Sequence, residues 1–292
     1  MLSCTMAALI AASCSSSDGP NGPPALTNSI VFVSDRTGTD QIYVMEADGS
    51  NLRQLTTIDG VKTWPAVSTS GRKIAFSIGA IDSTSTSELY VMNSDGTELK
   101  QLTFAQGLNF KPSWSPDGTR IAFASSRDGN YEIYTMKSDG SEQTDVTKEP
   151  GQDYAPSWQP TGNTILFMTD LSNPVDTYTV TSITSTGDSI KGLTYGVQPE
   201  WSPSGSKFVY KYNHMIWLSS TPDGSNVTPI IADSVTHYTP TWSPNEMRLA
   251  FSRVGNDGHE EIWTMSASDG GDEHELTLDD EGNNRFPTWT RH

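Results

Sequence analysis

Residues 111–147 read KPSWSPDGTRIAFASSRDGNYEIYTMKSDGSEQTDVT and contain one complete copy of the pattern that decides the fold. A Pro-x-Trp segment comes first and ends in the turn Pro116-Asp117-Gly118. Two apolar runs follow, Ile121-Ala122-Phe123 and Ile133-Tyr134, and the turn Asp139-Gly140 separates the second run from a short last segment. Asp-Gly is a strong signal for a tight hairpin in which both central residues have positive φ. The unit therefore predicts four antiparallel strands joined by short turns.

The same unit recurs along the chain, and six Pro/Trp elements mark the repeats. In the first element we read the order as inverted, Trp64-Pro65, and in the fourth repeat we assign the third strand to Tyr178-Thr179-Val180. The strand runs are apolar at consecutive positions, which is typical of strands buried on both faces. A period of 41 to 47 residues with four strands per unit indicates a β-propeller. The prolines that define this period are Pro65, Pro112, Pro156, Pro199, Pro240 and Pro287.

The two ends of the repeat region complete one another. Ser29 to Thr56 supplies the second, third and fourth strands of a unit but lacks the Pro-x-Trp strand. Phe286 to Thr290 is a Pro-x-Trp strand with no further strand after it. Joining the two fragments closes the ring and removes open sheet edges. We therefore predict an all-β, six-bladed β-propeller of four-stranded antiparallel blades, closed by the C-terminal strand joining the N-terminal blade.

The repeats resemble those of the TolB-like propeller family in their P-x-W-S-P-D-G, I-A-F-x-S-x-R-x-G, E-I-Y-x-M and D-G-x-x-x-x-L-T elements. The resemblance covers Ser29 to Thr290 and implies a non-catalytic binding role in the cell envelope. We expect a stand-alone propeller and not TolB itself, whose propeller follows an additional α/β domain. Because one fold hosts many functions, the resemblance does not identify the partner.

The first 28 residues do not resemble the repeats. The apolar run from Met6 to Ala12 is too short to span a bilayer and fits the central region of a signal peptide. Ala11-Ala12-Ser13-Cys14 resembles a lipobox, in which Cys14 would carry the lipid anchor; an ordinary cleaved signal with an incidental Cys14 is the alternative. We predict a signal peptide over 1–14, a flexible tether over 15–28 and the propeller over 29–292. The protein is then exported to the bacterial periplasm or outer membrane.

Charge and cysteine content exclude several classes of function. The formal net charge is −17, whereas nucleic-acid binding requires a Lys/Arg surface, so we expect no nucleic-acid partner. Both cysteines, Cys4 and Cys14, precede the repeats, so the propeller has no thiol for a disulfide or a metal.

No recognisable catalytic constellation occurs in the sequence. A G-x-S-x-G elbow and a nucleotide-binding glycine loop are both missing. Of the five histidines, His237 and His259 are the pair that could share a loop face, and two ligands do not make a catalytic metal site. We therefore predict no enzyme activity, no cofactor and no metal.

The candidate binding residues lie on one rim of the ring, meaning the loops that enter the innermost strands and the loops between second and third strands. Aromatic and Arg side chains are enriched there, as they are at binding hot spots. The same side chains could instead plug the channel mouth or pair with neighbouring loops. The predicted rim residues are Arg36, Phe110, Lys111, Arg127, Tyr154, Gln198, Tyr238, Arg253, Arg285 and Phe286.

We expect a monomer that docks a protein or peptide of the cell envelope on this rim and meets the membrane only through its lipid anchor. Two alternatives stay open. One is a carbohydrate-binding protein or metal-dependent polysaccharide lyase that uses the same face, because Tyr and Phe rings suit sugar rings. The other is a structural scaffold without a dedicated ligand.

Overall fold

The computed structural model describes residues 22–79, 86–104, 107–170, 178–231, 236–255, 258–277 and 282–291. These residues form six four-stranded antiparallel sheets, the blades of a β-propeller. The predicted fold class is confirmed. Across the described ranges, no helix combines the length and the apolar character needed to cross a bilayer. The predicted signal peptide and Cys14 lie outside the described residues.

The blades follow one another along the chain, and blades 2 to 6 each run from their innermost to their outermost strand. Blade 1 contains β1 (Ser29–Ser34), β2 (Gln41–Glu46) and β3 (Arg53–Gln54); blade 2 contains β4 (Val61–Val67), β5 (Lys73–Gly79), β6 (Ser87–Asn93) and β7 (Lys100–Gln101); blade 3 contains β8 (Asn109–Trp114), β9 (Arg120–Ser125), β10 (Glu132–Lys137) and β11 (Thr144–Asp145). Blade 4 contains β12 (Asp153–Trp158), β13 (Thr164–Thr169), β14 (Thr179–Thr184) and β15 (Lys191–Tyr195); blade 5 contains β16 (Val197–Trp201), β17 (Phe208–Tyr212), β18 (Met215–Ser219) and β19 (Val227–Pro229); blade 6 contains β20 (His237–Trp242), β21 (Arg248–Val254), β22 (Glu260–Ser266) and β23 (His274–Glu275); β24 (Asn284–Trp289) completes blade 1.

The C-terminal strand closes the ring, as the sequence predicts. β24 pairs antiparallel with β1, and Trp289 lies opposite Ile30. Just beyond that pair, the amide of Thr290 donates to the carbonyl of Ser29 at 2.9 Å. The first blade therefore folds only when both ends of the propeller sequence are in place.

The core lies between the blades because the second strands are apolar on both faces. Each second strand carries a large buried aromatic ring, and rings of adjacent blades are separated by layers of Ile, Val, Met and Trp. Burial of this kind is the main favourable contribution to folding. The rings are Phe32, Phe76, Phe123, Phe167, Tyr210 and Phe251.

The Asp-Gly hairpins form as predicted in position but not in backbone conformation. Gly49, Gly96 and Gly140 have φ of 85°, 89° and 91°, whereas the preceding aspartates are not among the positive-φ residues of the described chain. At the first hairpin the Asp48 carboxylate accepts from the amide of Ser50 at 3.0 Å. The aspartate therefore stabilises the turn through its side chain, and only the glycine needs the left-handed conformation.

The end of the predicted tether packs against the propeller. Leu26 is 8% exposed and joins the apolar cluster between blades 1 and 2, and its amide donates to the carbonyl of Gly71 at 2.9 Å. Arg72 Nη1 and Ser94 Oγ donate to the carbonyls of Pro23 and Pro24 at 2.8 and 2.6 Å. The segment crosses the face where the innermost strands end, which is opposite the rim where those strands begin. Pro23, Pro24 and Leu26, at the end of the predicted tether, therefore contact the propeller directly.

Candidate binding site in the channel and on its rim

Every innermost strand has a kink at the same place, directly before its proline. The six residues at the kinks have φ between 50° and 57°, and the strand register shifts at each of them. A left-handed conformation is uncommon for residues with a Cβ, and bulges of this kind re-aim side chains. We call these residues the channel ring, since five of them line the central channel and the proline beside the sixth, Ala155, does so. Its members are Trp64, Lys111, Ala155, Gln198, Thr239 and Phe286.

The inverted reading of Trp64-Pro65 is wrong. Val67 lies opposite Ile74 just as Trp114 lies opposite Ile121 in the next blade. Val67 therefore replaces the repeat tryptophan, and Trp64 occupies the channel-ring position that Lys111 has in blade 3. Sequence reasoning missed Trp64 for this reason, although counting one residue back from each proline would have found it.

The two halves of the channel ring differ in chemistry. On one side the rings of Trp64 and Phe286 are 4.2 Å apart between centroids, and Lys111 Nζ lies 4.5 Å from the Trp64 centroid. Such a cation–π contact is favourable, more so where water is excluded. On the other side the Gln198 amide oxygen accepts from the backbone amide of Thr239 at 3.3 Å. A ligand in the channel would thus meet an aromatic, cationic wall and a polar wall.

A second layer of side chains lies one residue beyond each proline. Five of its members are small, and three of these accept a hydrogen bond from the tryptophan amide of the following blade, at 2.9 to 3.3 Å. The exception is Glu200, whose Oε1 lies 3.7 Å from Nη2 of Arg291, a residue just after β24. The small members are Ala66, Ser113, Ser157, Thr241 and Thr288.

Burial shifts the pKa values of the charged residues in the channel. It raises the pKa of Glu200 against the opposing effect of Arg291 and Lys111, and it lowers the pKa of Arg291. It also lowers the pKa of Lys111 to about 8, although Glu200 acts in the opposite direction. Sequence reasoning missed Glu200 and Arg291. Glu200 was detectable as the one acid at the x position of a Pro-x-Trp element.

An aromatic cluster lies on the rim of blades 3 and 4. Phe110 and Tyr154, both predicted rim residues, meet Tyr131 at centroid distances of 5.6 and 4.6 Å, and Tyr178 adds an edge contact with Tyr154 at 5.8 Å. All four rings are half-buried. Burial raises the pKa of Tyr131 and Tyr154, so both phenols stay neutral at physiological pH. We call these four residues the rim cluster.

Two members of the rim cluster were missed because of their position in the repeat. Tyr178 was assigned to the third strand of blade 4, but β14 begins one residue later and pairs Val180 with Met168. Tyr178 and Tyr131 instead lie in the loops between second and third strands. The predicted Tyr238 lies on the other side of the rim, where Lys211 Nζ is 4.2 Å from its ring centroid.

The predicted arginines bind within the propeller. Arg127 donates to Asn109 at 2.9 Å and to Gln143 at 2.7 Å, and its guanidinium lies over the ring of Tyr134. Arg36 makes the equivalent contact with Asn284 at 2.7 Å. These side chains therefore fix neighbouring loops, and a role in partner binding stays a prediction for them.

The remaining two arginines form ion pairs. Arg253 pairs with Glu273 at 2.8 Å and lies 3.6 Å from the Trp263 ring centroid. Arg285 bridges blade 1 by pairing with Asp40 at 2.6 Å. Both side chains are more than half buried, and their ion pairs connect strands and loops beneath the rim.

In four blades the first residue of the innermost strand is polar and buried beneath the rim: Asn109, Asp153, His237 and Asn284. Asn109 and Asn284 donate side-chain amides to Glu88 and Glu261 of the preceding blades, at 3.2 and 2.8 Å. In blade 4 the same position is Asp153, which is 1% exposed. Burial and the neighbouring Glu132 raise the pKa of Asp153 to about 7, although hydroxyls of Thr169 and Thr147 oppose this.

The histidines do not form a metal centre in the described part of the chain. His237 is fully buried, and its ring meets Phe251 at 5.1 Å. His274 lies on the exposed outer strand β23, as predicted, and pairs with Asp272 at 3.0 Å. Throughout the described ranges, no group of three or more His, Cys, Asp or Glu residues is arranged to hold a metal ion.

Comparison with known proteins identifies the family. The family model described as PD40, the TolB beta propeller domain, matches residues 81–292. The chain belongs to the TolB beta propeller family. A TolB homolog of Chlorobaculum tepidum is 46% identical over 48 residues, which are 16% of this chain and 11% of that relative. The aligned part is thus about a tenth of the curated relative's length.

Solved structures support the architecture. TolB from Acinetobacter baumannii superposes with a TM-score of 0.76 at 20% identity, covering 92% of this chain and 68% of that one. Oligogalacturonate lyase from Vibrio parahaemolyticus gives a TM-score of 0.57 at 12% identity, covering 83% and 88%. At these identities the likeness shows the shared fold and leaves function to the site.

Proposed function

We propose that this protein is a non-catalytic binding protein of the cell envelope that docks a protein or peptide partner on the rim and channel mouth. The rim cluster carries the proposal. Four half-buried aromatic rings from two blades lie in contact at one end of the channel. Aromatic anchors of this kind dominate binding energy in protein interfaces.

The rigidity of the blades supports this role. Phe110 and Tyr154 belong to strands β8 and β12, whose kinks and prolines fix the direction of the side chains. Buried arginines tie the surrounding loops to the blades. Little ordering entropy would be lost when a partner binds, and preorganisation of this kind increases affinity.

The proposed location follows from the leader and from the strap at residues 22–28. We propose that 1–14 is a signal peptide with its lipobox, that Cys14 is kept as the lipidated N-terminus of the mature protein, and that the monomeric propeller is held in the periplasm by this anchor. The strap leaves the propeller on the face opposite the rim. The rim would then point away from the membrane and toward soluble or peptidoglycan-side partners.

Site-specific crosslinking tests the docking face. A photoreactive amino acid at Tyr154 should crosslink a defined partner in intact cells, whereas the same group at Met247, exposed in the turn between β20 and β21 on the opposite face, should not. With the purified partner, Tyr131→Ala and Tyr154→Ala should each raise Kd at least tenfold, about 1.4 kcal/mol. Met247→Ala is the control and should leave Kd unchanged. Crosslinks from Met247 alone, or unchanged binding by both rim variants, would refute the proposal.

Carbohydrate recognition is the second candidate, because the rim cluster also offers faces on which sugar rings stack. Because oligogalacturonate lyase has the same fold, oligogalacturonate is the substrate with which to test a metal-dependent lyase activity. Purified protein would be assayed for bound metal and for cleavage of oligogalacturonate. Activity that Tyr154→Ala abolishes would favour the lyase over docking, and binding of the sugar without cleavage would favour a lectin-like role.

A further inference from the structure

The central channel contains donor groups without a hydrogen-bond partner and, among the described residues, more cations than acids. Its cavity of about 80 Å³ is lined by two cations, Lys111 and Arg291, and by one acid, Glu200, among the described residues. The channel thus has a net positive charge within a protein of net charge −17. Charges out of bulk water are expensive unless they are paired, so this surplus favours an anion in the channel.

Individual atoms show where the surplus lies. Counting the described residues, Nη1 of Arg291 is buried without a hydrogen-bond partner, and so is the hydroxyl of Thr239, a residue that is 8% exposed. Lys111 Nζ faces the Trp64 ring. Both cations interact electrostatically with the Glu200 carboxylate, so the three charged groups lie close enough to affect one another. Three sets of donors therefore line one small cavity that contains a single carboxylate.

The charged groups that line the cavity restrict the ligand. Lys111 and Arg291 outnumber Glu200, so the lining favours an anion. Guanidinium and ammonium groups make strong charge-assisted hydrogen bonds to carboxylates. The aromatic wall formed by Trp64 and Phe286 suits the apolar carbon that bears the carboxylate.

We propose that the channel is a carboxylate-binding site in which Lys111 and Arg291 hold the anion and Thr239 lines the cavity as a hydroxyl donor. The carboxylate belongs either to a small free acid or to a side chain or C-terminus of a docked segment. The second source deepens the proposed docking function and rests on it. Glu200 sets the affinity, because its negative charge competes with the guest for the same cations.

Acetate titration by calorimetry in chloride-free buffer tests the site itself. Wild-type protein should bind acetate in the millimolar range, Lys111→Met and Arg291→Gln should weaken binding at least tenfold, and Glu200→Gln should strengthen it at least threefold. Lys191→Met removes a cation from the exposed outer strand and should leave binding unchanged. Absence of acetate binding, or equal binding by Lys111→Met and the wild type, would overturn the proposal. If Lys111→Met does not fold, Glu200→Gln decides, because it retains both cations.

A peptide pair distinguishes the two sources. Triglycine with a free C-terminus should compete with acetate, whereas triglycine amide should not, if the channel takes a carboxylate from a docked segment. Acetate binding without triglycine binding would assign the site to small free acids. Neither result depends on crosslinking at Tyr154. The docking proposal can therefore fail while the carboxylate site is confirmed, and the carboxylate site can fail while docking is confirmed.

Discussion

Replacing Asp153 by Asn should stabilise the propeller at neutral pH. Asp153 is a fully buried acid at a repeat position where two other blades have Asn109 and Asn284, whose amides donate to buried glutamates. In the described chain, Oδ1 of Asp153 has no hydrogen-bond partner, and the neighbouring acid is Glu132. An asparagine would remove the repulsion between the two acids and supply the donor that the other blades use.

The pH dependence fixes the sign and the size of the effect. Burial and Glu132 raise the pKa of Asp153 from 3.8 to about 7 in the folded state. Between about pH 4 and pH 7 the folded protein therefore binds more protons than the unfolded chain, so the stability contribution falls as pH rises and is lowest above pH 7. At 1.36 kcal/mol for each pKa unit, the upper bound is about 4 kcal/mol. We expect Asp153→Asn to gain about 2 to 4 kcal/mol over the wild type at pH 8 and little at pH 4.5.

Urea unfolding measured at intervals from pH 4.5 to 8.5 provides the assay. The difference in unfolding free energy between Asp153→Asn and the wild type should grow from pH 4.5 to about pH 7 and level off above it. Asp188→Asn, which removes the same charge from an exposed hairpin, is the matched control and should give a small difference that does not follow this titration. A difference for Asp153→Asn that is equal at pH 4.5 and pH 8 would refute the reasoning.

Three further predictions concern other parts of the propeller. Because burial lowers the pKa of Lys111 to about 8, wild-type stability should receive a rising contribution between pH 8 and 10.5, and urea unfolding of Lys111→Met should lack this contribution. Gly96→Ala should destabilise by more than about 1 kcal/mol in thermal unfolding, since φ is 89° and the new Cβ would lie 2.4 Å from the Leu55 carbonyl oxygen; Gly129→Ala, with φ of 105° and open space, should cost less, and equal losses would contradict this account. Trp289→Ala should cost about 3 to 5 kcal/mol in chemical denaturation, because its buried ring belongs to the closing strand, and a loss below 1 kcal/mol would show that closure contributes little.

The architecture was predictable because each blade satisfies the same local demands. Each repeat contains a short apolar strand, a turn with glycine and an inward proline. Because the pattern recurs six times, a copy that deviates can still be assigned from the other five. Ring closure also followed from the sequence, since the two end fragments add up to one blade. The packed strap was not predictable, because Leu26 has no counterpart in the repeat and its burial depends on a cleft between two blades.

The candidate site was predictable only in part. Sequence reasoning selected the rim from loop order, and this places Phe110 and Tyr154 together in the rim cluster. It gave no account of side-chain direction, so arginines that bind within the blades were grouped with them. Trp64 was hidden by a substitution two residues after the proline, where Val67 replaces the repeat tryptophan. The left-handed kink that turns these side chains into the channel is a backbone property, which no residue type in the repeat encodes by itself.

Positions where one repeat differs from the other five help to distinguish residues kept for folding from residues kept for binding. The Pro-x-Trp strand needs a small residue after each proline, because its hydroxyl or methyl must fit beside the next blade's tryptophan amide. Glu200 violates this demand and places a charge in the channel, where the pKa of its own carboxyl is raised by burial. A residue that costs stability at a position with a simpler solution is expected where the protein binds something. Asp153 also departs from the residue type of its repeat position, but it faces the core and not the channel. Substituting Asp153 should therefore change stability without changing acetate binding. Glu200→Gln should change acetate binding.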